Sequence, residues 1–305
     1  MGLRATVRRS LSLFTLSPME PTFKTIADLF QVPIGDAGIV ADNPRRAHGD
    51  TPDESDELGR QCLTDGEYET AIRHFREAVA RRAPGDVTSR IHLAGAYEVI
   101  DQYPQALREY EKALRANQDV TEPHVGISDL YKRYGRYRDA IEKLEKATEL
   151  APENPFYQFK LAEALRDAGE PTKAIHAAQR AVMAKPDESF YHYWIGDLLT
   201  RQGQFDDALE SLRAAIELSP GDDFLYLRAA VAFWRAGRLV EAIKSVRLAS
   251  DLDPSKNMYH GLLGILLEES GQVEEARLES DRASKMDRYD HDMLSRLLDE
   301  MAIEP

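Results

Sequence analysis

The sequence predicts an all-α protein: an array of about seven helix–turn–helix repeats followed by one closing helix. Three observations predict this. An alanine recurs at Ala71, Ala106, Ala140, Ala174, Ala208, Ala242 and Ala276, with one spacing of 35 and five of 34. Seven residues after each comes another: Ala78, Ala113, Ala147, Ala181, Ala215, Ala249 and Ala283. Five residues before each stands Gly66, Gly135, Gly169, Gly203, Gly237 or Gly271, with Asp101 as the exception in the second unit. A fixed period of this length marks a stacked array in which each unit buries its apolar face on its neighbours.

Each mark has a physical cause. Two antiparallel helices that approach closely need small side chains at the crossing, and the paired alanines supply them. Glycine ends the first helix because it enters the left-handed region without steric cost. Pro152, Pro186, Pro220 and Pro254 follow the second helix, which a proline cannot continue. Pro104 and Pro171 instead open second helices, where a first-turn proline is tolerated. Between the marks, apolar residues fall at helical spacing, as in Tyr191, Ile195, Leu198 and Leu199. The arms are about 13 residues each.

The elements then follow in chain order. Residues 1–51 lie outside the repeat and read as a largely disordered extension, with a short amphipathic segment at 22–31 built on Phe23, Ile26, Ala27 and Phe30. That segment is read either as an N-terminal cap or as a ligand for a groove. Residues 1–18 carry Arg4, Arg8 and Arg9 and no acid, so a targeting segment and a start at Met19 are both open. Seven repeats occupy residues 52–288. Residues 289–305 read as a capping helix over the last repeat, with Met293, Leu294, Leu297, Leu298 and Met301 on one stripe.

Composition narrows the function. The chain has 305 residues, with 39 Lys and Arg against 53 Asp and Glu, for a net charge of −14. Such a balance argues against general nucleic-acid binding, since polyanions repel. A single cysteine, Cys62, excludes an intramolecular disulfide framework and an all-cysteine zinc site. No apolar run long enough to span a membrane occurs. Phosphate-loop, dinucleotide, nucleophile-elbow and H-E-x-x-H patterns are absent, so neither catalytic residues nor a metal or cofactor site is expected. His124, His192 and His260 stand two repeats apart and read as structural. A cytoplasmic location is the default expectation.

The unit EPHVGISDLYKRYGRYRDAIEKLEKATELAP and its counterpart FYHYWIGDLLTRQGQFDDALESLRAAIELSP resemble the tetratricopeptide repeat family. The family's tryptophan near the start of the first helix is missing here. The resemblance implies a right-handed α-solenoid whose first helices line a concave groove that takes a segment of a partner protein. Carried onto this chain, the groove positions give an apolar band of Phe156, Phe159, Phe190, Tyr193, Phe224, Leu227 and Trp234. Beside it runs a basic row of Lys132, Arg133, Arg166, Arg201 and Arg235. The expected partner is therefore a protein or peptide segment with apolar anchors and flanking acids. An alternative reading has Asp129, Glu163 and Asp197 neutralising the basic row within each helix. The Lys/Asn clamp that the family uses on chaperone tails is absent. Self-association into an assembly, or service as a regulatory subunit, remains the competing function.

Overall fold

The computed structural model describes residues 51–286 and 291–302, so the segment at 22–31 lies outside the described residues. Fifteen α-helices and no strand occur among them, which makes the chain an all-α repeat solenoid. It divides into two units, with the chain boundary between residues 168 and 169. The N-terminal unit holds α1 Pro52–Thr64, α2 Tyr68–Arg81, α3 Thr88–Val99, α4 Tyr103–Ala116, α5 Glu122–Arg133, α6 Tyr137–Leu150 and α7 Pro155–Asp167. The C-terminal unit holds α8 Pro171–Ala184, α9 Ser189–Arg201, α10 Phe205–Leu218, α11 Asp223–Arg235, α12 Leu239–Leu252, α13 Asn257–Glu269, α14 Val273–Lys285 and α15 His291–Ala302. Up to α14, odd numbers are first helices and even numbers second helices.

Local chemistry sets the boundaries. Thr51 opens α1 with a capping box, accepting from the Glu54 amide at 3.2 Å while Glu54 accepts from the Thr51 amide at 2.8 Å. Asn154 and Asp222 cap α7 and α11 in the same sense. The turn between the two arms needs a left-handed residue, and the six marking glycines have φ of 68 to 82°. Asp101 takes the same conformation at φ 57°, so the second unit keeps the turn without the glycine.

Packing follows from the small residues. Twelve of the fourteen marking alanines are fully buried, Ala276 is nearly so, and Ala283 is partly covered. A second small-residue contact lies deeper in each crossing. A side chain at Gly59 would meet the Phe75 ring at 2.5 Å, and one at Gly196 would meet Leu212 at 2.6 Å. Between neighbouring repeats, one at Gly126 would meet the Tyr110 ring at 2.3 Å. At these points an aromatic or leucine side chain packs directly against a bare helix backbone.

The C-terminal helix lies on the last repeat, but on its first helix and not on its second. α12 buries Ala242, Ile243, Ser245, Val246, Ala249 and Ser250, because α13 covers it. α14 buries only Ala276 and leaves Val273 and Leu278 exposed. α15 packs on α13 and α11, both first helices, rather than on α14 as the next first helix of a stack would. The array closes through the polarity of α14, whose sequence VEEARLESDRASK needs little cover.

Glycines of the first helices separate the two roles in a stability measurement. Gly126→Ala must displace the buried Tyr110 ring and is expected to cost roughly 1–3 kcal/mol. Gly95→Ala meets nothing within 4 Å and is expected to stabilise by about 1 kcal/mol through helix propensity. Urea denaturation of the two variants, followed by circular dichroism, reads both signs.

Candidate functional site

The first-helix face of the N-terminal unit is charged and self-neutralised. Lys160 on α7 reaches Asp129 on α5 at 2.7 Å and Glu163 on its own helix at 3.3 Å. Lys132 on α5 reaches Glu163 at 2.5 Å and Asp167 at 3.6 Å. Arg166 pairs with Asp167 at 2.8 Å. Burial raises the Glu163 carboxyl, but Lys160 and Lys132 outweigh it and hold the group below its usual range. The same balance runs the other way at Lys160, where burial lowers the ammonium and Asp129 and Glu163 raise it further. Within the basic row, Lys132 is answered across neighbouring repeats by Glu163 and Asp167, whereas Arg166 pairs with Asp167 and Arg201 with Asp197 inside their own helices, as the within-helix reading expects. The cross-repeat pair Lys132–Glu163 joins residues 31 apart on adjacent first helices, which spacing along one helix does not display.

Two of the predicted anchors in this unit differ in exposure. Phe156 is half-buried and meets Tyr157 edge-on, with ring centroids 5.8 Å apart. Phe159 is 7% exposed and belongs to the interior, so it offers a partner almost no surface. A cavity of about 270 Å³ opens between the starts of α3 and α5, lined by Thr88, Ile91, His92, Val120 and Glu122 among others. At the inner end of α3, Glu98 accepts from the Tyr110 hydroxyl at 2.6 Å. Burial pushes the Glu98 carboxyl up to about 7, which the Tyr110 bond only partly offsets; Asp129 adds to the rise, while Arg133 and Lys160 oppose it.

The C-terminal unit carries the aromatic part of the face. Phe190 and Tyr193 on α9 and Phe224 on α11 are half-buried. Their centroids lie 6.3 Å apart for Phe190 and Tyr193 and 5.3 Å for Tyr193 and Phe224, tilted and edge-to-face, which suits the ring quadrupoles. Leu227, expected beside them, is 2% exposed and sits in the core with Met258 and Leu262. The reason is positional: the next first helix, α13, closes over it. Below the ladder, Asp197 is buried and accepts from Arg201 at 2.8 Å and from Arg228, a buried guanidinium absent from the sequence-level reading. Arg201 keeps 45% of its side chain exposed. Trp234 donates its indole N–H to Glu269 at 2.7 Å, and Arg235 lies over the Phe205 ring at 5.7 Å. The structure therefore joins Phe190, Tyr193 and Phe224 in one ladder and sets Trp234 and Arg235 at the far end of α11.

The remaining single-residue expectations can be placed as well. Cys62 is buried and free, with burial raising its thiol. His192 contacts the Pro186 carbonyl at 2.9 Å and His260 contacts Glu279 at 2.7 Å, while His124 is buried and burial lowers its imidazole. Among the described residues no cluster of His, Cys, Asp or Glu suits a metal ion, and no helix is long and apolar enough to cross a membrane.

Comparison with known proteins agrees with this architecture. The tetratricopeptide repeat family model matches residues 57–121, 126–189, 159–223, 193–257 and 227–291, and the chain belongs to that family. A search of curated proteins finds no match. Among solved structures, the chain is similar to YrrB, described as a tetratricopeptide repeat protein with an unusual peptide-binding site. The identity is 23% over 65% of this chain and 97% of that one, with a TM-score of 0.51. It is similar to the MamA protein at 25% identity over 57% and 94% of the two chains, with a TM-score of 0.51. A tetratricopeptide repeat protein from Parabacteroides merdae ATCC 43184 aligns over 83% of this chain and 99% of that one at 16% identity, with a TM-score of 0.59.

The raised Glu98 gives a pH test. Its folded value of about 7 lies above the unfolded value of about 4.3, so the folded chain holds more protons between them. Stability from this group is complete below about pH 4 and is lost as pH rises through 7. Glu98→Gln keeps an acceptor for Tyr110 and removes the titration. Thermal melts are expected to show the variant more stable than wild type at pH 8, by an amount on the order of 2 kcal/mol, and indistinguishable near pH 4.5.

Proposed function

We propose that this protein is a non-catalytic adaptor whose first-helix face in the C-terminal unit binds a segment of a partner protein. The observation that carries the reading is the ladder of Phe190, Tyr193 and Phe224: three half-buried rings from two neighbouring first helices, in mutual contact. Aromatic side chains offer large contact area at little entropic cost, which is why they dominate interface energetics. The exposed part of Arg201 lies on the same helix and favours an acid next to the partner's apolar anchor.

A second reading, self-association, is favoured by one specific observation. One second helix of the C-terminal unit, α12, exposes Val240 at 62%, Leu248 at 49% and Leu252 at 44%. Light scattering across a concentration series distinguishes the two. A constant mass of one chain supports the adaptor, and growth with concentration supports assembly.

The adaptor reading predicts that Phe190→Ala with Phe224→Ala leaves the helical content and melting transition in place. Affinity capture with the double variant is expected to lose the proteins retained by wild type, by at least tenfold in intensity. Undiminished capture by a folded double variant rejects the ladder as the binding surface.

A further inference from the structure

The sequence stripe of Met293, Leu294, Leu297, Leu298 and Met301 reads as a cap over the last repeat; α15 lies on that repeat through its first helix α13, and on α11 of the repeat before, with Met293 left exposed. Leu294, Leu297 and Met301 are 8%, 6% and 6% exposed and join one cluster with Leu227, Met258 and Leu262 of those first helices. Phe224 and Trp234 pack against the same cluster. Gly261 makes the seat: a side chain there would meet Leu294 at 2.7 Å. At the corresponding position of the two preceding repeats stand Tyr193 and Leu227, so the seventh repeat is hollowed where the helix enters. Meanwhile α14, the surface that a cap would cover, stays open and polar. An end cap has no reason to leave the end and occupy the face that the partner is expected to use.

We infer that the first-helix face of repeats six and seven is a helix-binding surface filled by the chain's own C-terminal helix. Its partner is an amphipathic helix with large aliphatic residues at the spacing of Leu294, Leu297 and Met301. This is the helix-in-groove mode, in which anchors at i, i+3 and i+7 meet an apolar trough. The inference names the partner chemistry of the face proposed above and rests on that reading. The composition of α15 also matches the sequence-level expectation of apolar anchors flanked by acids, with Asp292, Asp299 and Glu300 in the helix. Five residues, 286–290, separate α14 from α15. A tether of that length gives the helix an effective concentration of roughly millimolar, enough to exclude a weak competitor and yield to a tight one. The 12-residue helix is too short to hold its own shape in water, so release and unwinding go together.

The test uses the full chain and a labelled synthetic peptide of residues 289–305, read by fluorescence anisotropy. Replacing Leu294, Leu297 and Met301 by Ala in the chain removes the anchors of its own helix. This triple variant is expected to bind the peptide at one site, at least tenfold more tightly than wild type does. Adding Gly261→Leu to the triple variant fills the seat and is expected to abolish binding, as is Leu297→Asp in the peptide. A folded triple variant that ignores the peptide, or that binds it regardless of Gly261→Leu, overturns the inference. Loss of capture by the Phe190/Phe224 variant is read separately, so the two proposals fail independently. Should the triple variant not fold, amide hydrogen exchange on wild type decides. A detachable helix exchanges over 291–302 at least a hundredfold faster than α13, and equal rates mark a structural cap and overturn the inference. A wild-type dimer that Gly261→Leu dissolves makes the occupant the helix of a second copy and overturns the partner assignment.

Discussion

The close approach of two helix backbones within each repeat is the constraint on which the rest of the structure depends. Alanine and glycine at the crossing let an aromatic or leucine side chain lie directly on the neighbouring backbone, as Phe75 does on Gly59 and Leu212 on Gly196. That contact fixes the angle between arms, and the repeated angle fixes which side of each first helix faces outward. The ladder of Phe190, Tyr193 and Phe224 exists because α9 and α11 repeat the same crossing one unit apart. A larger residue at any crossing would move the first helix and break the register of the face.

Charge plays a different part in the two units. In the N-terminal unit, Lys132 and Lys160 each bridge two acids, and these bridges join α5 to α7. Such buried pairs carry desolvation costs comparable to their attraction, so they specify register more than they stabilise. In the C-terminal unit one buried acid, Asp197, pairs with the buried Arg228 and with the partly exposed Arg201. The first-helix face of the N-terminal unit is thus polar and charge-paired, and that of the C-terminal unit is aromatic and half-open. An overall charge of −14 gives no sign of that difference, because net charge averages over faces that act separately.

The closing of the array also rests on a simple physical distinction. A stack of amphipathic helices must end on a surface that water accepts, and α14 meets this need through its own sequence. Once the end is solvated, α15 is not required there, and its apolar stripe is free to seek the largest available apolar trough. Gly261 provides it next to Leu227 and Met258.

Much was legible in the residues alone: the repeat count, the arm lengths, the glycine turns and the buried alanines. All depend on interactions within one unit, so a single 34-residue window contains both partners. The left-handed conformation of Asp101, the exception among the glycine marks, appeared only in the structure. The exposure of the candidate site was not legible either. Phe159 and Leu227 share the repeat position of the half-exposed Tyr193, yet both are buried, because exposure depends on what a neighbouring repeat lays over the position. The pairing of Lys160 with Asp129 and the seat of Leu294 at Gly261 were hidden for the same reason, each joining residues about one repeat apart. Sequence determined the unit and its period because those follow from local periodicity. Only tertiary structure decided which side chains of the first-helix face remain open, since that is set by contacts between units and by where the last helix comes to rest.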